Sequence, residues 1–202
     1  VPAMGSHGGG TPEGQQRILE NYGVSERLVG APVAATVETV ELGTSRDGVP
    51  ILVDKAAFDS DGIVLINRIK PHTDFRGAVG SGLMKMIAVG LGNVTGARSF
   101  HSWVRRLGQE KLIEARARAL LDTEKVVCGI AILENAYHET AHLELLPART
   151  LVTREKELLA KAKDLMPSLP TENLDILVID QVGKNISGTG MDPNITGRWF
   201  RS

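Results

Sequence analysis

DGIVLINRIK, residues Asp61–Lys70, is a continuous apolar run that opens at a glycine and closes on a polar loop. Such a run suits a strand buried on both faces, the kind that belongs to a sheet covered by helices. Upstream, ATVETVELG (residues 35–43) alternates apolar and polar positions, and GVPILVDK (48–55) is short and β-branched. Both read as strands. Downstream, LGQEKLIEARARALLDTEK (107–125) has helical spacing, and KVVCGIAILEN (125–135) and TAHLELLPA (140–148) read as two more strands. TREKELLAKAKDLM (153–166) reads as an amphipathic helix capped by Thr153. Near the start, Thr11 is placed to cap a helix, with Pro12 at its first position and Glu13 in its positive first turn. That helix runs through EGQQRILENYG and stops at Gly23. Strands alternating with helices predict an α/β fold, a largely parallel sheet with flanking helices.

A proline-bearing linker then leads to LDILVID (174–180), expected as another buried strand. The organisation expected is the main part of a cofactor-binding and catalytic domain over 1–168 and the beginning of a second α/β domain over 169–202. Val1 reads as the tail of a strand, and no element closes at Ser202. The chain is therefore expected to be a fragment of a longer one.

Composition narrows the function. The 202 residues carry 23 basic and 24 acidic side chains, a formal net charge of −1, so no global field draws nucleic acid or a membrane surface. No apolar run reaches the ~18 residues of a bilayer span. A single cysteine, Cys128, excludes an intrachain disulfide and a multi-thiolate metal site, and suits the cytoplasm. No HExxH, P-loop or GxSxG pattern is present.

In open α/β sheets, ligands sit beyond the carboxyl ends of the strands. Three polar, glycine-rich segments are expected there: GSHGGG (5–10), NRIKPHTDFRG (67–77) and QVGKNISGTG (181–190). The first holds His7 ahead of a helix start whose N–H groups favour an anion. MGSH also resembles the start of an expression tag, against which stand Val1–Ala3 before it and the cap at Thr11 after it. The second holds His72 among Arg68, Lys70 and Arg76, a basic setting for a carboxylate or phosphate. Those cations should lower the His72 pKa and keep the ring neutral, able to act as a base. Lys85 stands alone in the apolar SGLMKMIAVGLG (81–92), where a lysine either snorkels outward or becomes a nucleophile, and from the residues alone snorkelling is the reading favoured. His101 follows, close enough in the chain to return to the same site. His138 and His142 read as ordinary surface or core-edge histidines. Three histidines could also form a zinc hydrolase centre, although Asp74 is the only carboxylate near any of them.

The segments PAMGSHGGGTPEGQ, NRIKPHTDFRGAVGSGLMKM and GKNISGTGMDPN together resemble the lactate racemase family, with its order histidine, histidine, lysine, histidine. The likeness is nearer to the broad set of racemase homologues than to lactate racemase itself. The resemblance implies a racemase or epimerase of a 2-hydroxy acid that uses a nickel-pincer nucleotide, a pyridinium-3-thioamide-5-thiocarboxylic acid mononucleotide. It implies Lys85 as the tether, with Ser81 and Gly82 beside the cofactor, and His101 as the nickel ligand. His7 and His72 become the acid/base pair on opposite faces of the substrate. Cofactor maturation proteins are the implied partners. The family's aspartate–arginine phosphate contacts would lie upstream of Val1. Lactate-type relatives place a tyrosine–glutamine pair and then a lysine where this chain reads PNITGRWF, which leaves Arg198, with Arg76, as the candidates for a substrate carboxylate. The alternatives are a non-catalytic homologue that binds an anion or nucleotide, and the histidine-metal hydrolase.

Overall fold

A computed structural model of the protein describes residues 1–183, 186 and 190–197. Strands β1 (Thr39–Thr44) and β2 (Pro50–Asp54) form an antiparallel pair of their own. A three-stranded sheet follows, in the order β3 (Ile63–Arg68), β4 (Val126–Glu134), β5 (Thr140–Pro147). The α/β class and the flanking helices are as the sequence indicates, but the pairing is mixed. β3 and β4 run parallel because the long crossover between them has room for helices. β4 and β5 are antiparallel because their connection is a tight turn, in which the Asn135 side chain accepts the Tyr137 and Glu139 N–H groups.

β3 is buried on one face only. Ile63 and Leu65 point into the core, while Val64 and Ile66 are more than half exposed. Their side of the sheet continues through Leu143 and Leu145 of β5, so the apolar run marks a sheet with one uncovered face among the described residues.

The α-helices among the described residues are α1 (Pro12–Asn21), α2 (Glu26–Val29), α3 (Lys55–Phe58), α4 (Leu83–Lys85), α5 (Asn93–Leu107), α6 (Gln109–Leu121), α7 (Leu151–Asp164) and the single turn Pro193–Thr196. Thr11 caps α1 as expected, its hydroxyl accepting the Gly14 N–H at 3.1 Å. α7 starts at Leu151, with Thr150 at its cap position, so Thr153 lies inside the helix. Burial of Leu151 and Val152 extends the helix a turn beyond the expected start. α5 was not expected from a stretch broken by Gly92 and Gly96. The penalty for those glycines is outweighed by burial of the helix face that carries Ala97 and Phe100.

The buried face of the sheet packs on α4–α7. Leu83, Leu112, Ile113, Leu120, Ala131, Leu133 and Leu151 are wholly inaccessible there. Residues 174–180 form no strand: Ile176 is 81% exposed and Val178 84%. A strand requires a neighbour for its N–H and C=O groups, and no described strand pairs with this segment. Among the described residues, no helix is long and apolar enough to cross a membrane.

Candidate functional site

The first glycine-rich loop is bound to the Lys85 region by its backbone. The Gly5 N–H donates to the Gly90 carbonyl at 3.0 Å, and a Cβ at Gly90 would meet the Ala3 oxygen at 2.3 Å. Gly10, at φ +69°, has Val94 where its own Cβ would stand. Gln15 is wholly buried and donates to the Gly5 carbonyl at 3.0 Å, fixing the loop from inside. His7 projects from this anchored loop and is exposed. The α1 start behind it is not entirely open to an anion, because Thr11 already takes the Gly14 N–H.

β3 delivers the second loop. Lys70 and Ser81 exchange backbone hydrogen bonds of 2.8 Å and close the segment between them. His72 stacks on Phe75, ring centroids 4.5 Å apart, and its side chain is only 13% exposed. The imidazole pKa falls to about 4, first through burial and then through the charge of Lys85, with Asp74 opposing. The direction is the one expected, but the cause differs. Arg68 is engaged by Glu134 at 3.0 Å on the sheet, and the cation that acts on His72 is Lys85. His72 Nδ1 accepts the Asp74 N–H at 3.0 Å, which puts the neutral ring's proton on Nε2. The Asp74 carboxylate stands 4.0 Å from the same nitrogen. Asn194 donates to the His72 carbonyl at 3.0 Å. Phe75 and Arg76 line an open cleft of about 680 Å³ that runs along the start of α6.

Lys85 ends α4, and a π-helical turn (Met86–Gly90) connects it toward α5. Burial lowers the ammonium pKa, Lys70 lowers it further and Asp74 opposes. No hydrogen bond or salt bridge satisfies Lys85 among the described residues. A half-buried amine with a depressed pKa is the condition for a nucleophile, so the environment favours that reading over snorkelling.

Two buried ionisable side chains hold this turn. Glu155 of α7, almost wholly buried, accepts the Met84 N–H at 2.9 Å and also bonds the Leu83 N–H. At the other end, the equally buried Arg116 of α6 donates to the Ala88 carbonyl at 3.1 Å, the Gly96 carbonyl at 2.9 Å and the Ser99 hydroxyl at 2.8 Å. Asn67 at the end of β3 donates to the Gly82 carbonyl at 2.9 Å. Sequence reasoning missed these residues, yet two left a signal. Glu155 interrupts the buried stripe Leu151, Val152, Leu158, Leu159, and Arg116 interrupts Leu112, Ile113, Ala117, Leu120. A charge in the apolar phase of a helix needs an internal partner.

His101 is exposed on α5, edge-on to Phe100 at 5.9 Å. It lies two helical turns from Val94 on the same face, the side that meets the first loop. The structure thus brings His72 and Lys85 into one electrostatic neighbourhood and seats the His7 loop against the Lys85–Val94 stretch. It shows no contact of the His101 ring with His7, His72 or Lys85. His142 pairs with Glu144 at 2.9 Å, and His138 turns the β4–β5 connection, both as structural residues. Arg198 lies outside the described residues. Among the described residues no three His, Cys, Asp or Glu side chains converge as a metal centre, so the three-histidine zinc site has no geometry here. A cofactor that brought its own metal donors would need only one histidine and an attachment point; the exposed His101 and the half-buried Lys85 are of the chemical types those two roles call for.

The family model described as the lactate racemase N-terminal domain matches residues 1–111, a stretch that includes His7, His72, Lys85 and His101. No curated protein matches the chain.

Proposed function

The chain belongs to the lactate racemase family, and from that premise we propose that it serves a racemase or epimerase of a 2-hydroxy acid. Lys85 would tether a nickel-pincer nucleotide, with Ser81 and Gly82 at the base of the tether, and His101 would ligate the nickel. When bound, that group supplies a reversible acceptor for the α-hydrogen of the substrate. The chain's own residues bind, orient and move protons. His7 and His72 act on the hydroxyl proton, one for each hand of the substrate. His72 enters neutral, as its burial demands. Taking a proton at Nε2 requires its ring proton to move to Nδ1, exchanging the Asp74 N–H for the Asp74 carboxylate 4.0 Å away. Arg76, at the edge of the cleft, would receive the substrate carboxylate.

One observation carries this reading: an unsatisfied, half-buried lysine beside a neutral histidine, inside the family match. Peptide mass spectrometry across residues 82–98 tests it, on full-length protein produced with cofactor maturation proteins. A nucleotide-sized addition at Lys85, with nickel in the sample, is expected. An unmodified Lys85 in the presence of mature cofactor would overturn the proposal and favour an anion-binding homologue.

A further inference from the structure

Glu155 has no cationic partner among the described residues; its carboxylate is spent on the N–H groups of Leu83 and Met84, the two residues before Lys85. It reaches them from α7, 71 positions beyond Met84. The contact also explains Gly82. A Cβ there would stand 2.4 Å from Glu155 Oε1 and 2.8 Å from its Cδ, although the backbone at φ 179° would accept any side chain. α4 is a three-residue helix with too few internal hydrogen bonds to hold itself, so its direction depends on what binds its first N–H groups. A buried carboxylate at that end and the Arg116 guanidinium at the carbonyl end match the helical dipole at both poles.

We propose that Glu155 is the positioning residue for Lys85: its carboxylate fixes the turn that keeps the amine half-buried, unpaired and reactive. Its importance for cofactor attachment rests on the reading of Lys85 as the tether; the clamp itself does not. A purely structural polar contact would affect stability and leave the chemistry of Lys85 alone. A positioning contact changes the acidity and reactivity of that amine in protein that remains folded.

The test labels cofactor-free protein with an amine-reactive acetylating ester across a pH series. Peptide mass spectrometry then compares Lys85 with the exposed Lys161. Glu155→Gln keeps the shape and one acceptor, Glu155→Ala removes both, and Gly82→Ala pushes the carboxylate aside. In each folded variant the Lys85 labelling midpoint should rise, by about one unit in Glu155→Ala, or about ten-fold less free amine at a given lower pH. Gly82→Ala should add nothing in the Glu155→Ala background, because the two act through one contact. An unchanged Lys85 midpoint in folded Glu155→Gln and Gly82→Ala would overturn the proposal. If the midpoint moves but the parent protein never carries a nucleotide, the clamp stands and the racemase reading falls.

Discussion

At the residue scale, the chemistry comes down to two basic side chains whose protonated forms are penalised. Burial leads in both His72 and Lys85; the charge of Lys85 then lowers His72, and that of Lys70 lowers Lys85. Asp74 is the counterweight, raising both pKa values while its own amide occupies His72 Nδ1. Asp74→Asn should therefore lower the His72 pKa below about 4 and shift the ring further toward the Nε2–H tautomer, visible in imidazole NMR titrations. No change in either would mean that the carboxylate at 4.0 Å is a bystander. In cofactor-loaded protein, His72→Gln and His7→Gln should each reduce racemisation by about 10²-fold or more and leave nickel in place. His101→Ala should instead lose the metal. Nickel lost with His7 or His72, or retained without His101, would reassign those roles. The histidines and Lys85 were legible as candidates because each was chemically out of place in its segment. Asp74 was visible only as the one carboxylate near those histidines; its effect on His72 and Lys85 depends on a turn that no spacing reveals.

Elements explain why the site sits where it does. The five described strands and three of the seven helices α1–α7, namely α1, α6 and α7, could be read from caps and periodicity, since burial follows a period of 2 or 3.6 whatever the details of packing. α5 could not, because Gly92 and Gly96 look like breakers, and the burial of Ala97 and Phe100 that outweighs them is set by tertiary packing. Gly90 marks a close approach at the junction with the first loop, where its missing Cβ leaves room for the Ala3 carbonyl. Gly90→Ala should cost about 1–3 kcal/mol and detach the His7 loop from the π-helical turn. Hydrogen exchange would show this as lost protection of the Gly5 amide, which donates to Gly90. Full protection in the variant would mean that the loop is held from elsewhere, with Gln15 the first suspect. LDILVID failed as a strand for a complementary reason. Its pattern is right, but pairing depends on a partner the pattern cannot supply.

Across the whole molecule, two buried groups give stability opposing dependences on pH. Burial raises the Glu155 pKa to about 7, so the folded state favours its acid form. That contribution is complete below the ordinary value of 4.5 and is lost as pH rises toward 7. His72, depressed from 6.5 to about 4, contributes above 6.5 and loses that contribution as pH falls toward 4. Between about 4.5 and 6.5 the two slopes oppose each other. Glu155→Gln removes one of them, so its melting temperature should climb with pH across this window relative to the parent protein. Parallel melting curves for the two proteins would refute the opposition.

The hydrogen bond from Met84 to Glu155 also sets a clock. During synthesis Lys85 emerges long before the carboxylate 71 positions beyond its neighbour. At about 5–20 residues per second, several seconds pass in which it is an ordinary flexible lysine on a growing chain. Only when α7 has been made and docked does the amine acquire its distinctive reactivity. Any covalent attachment that depends on that reactivity therefore waits until α7 has been made and has docked.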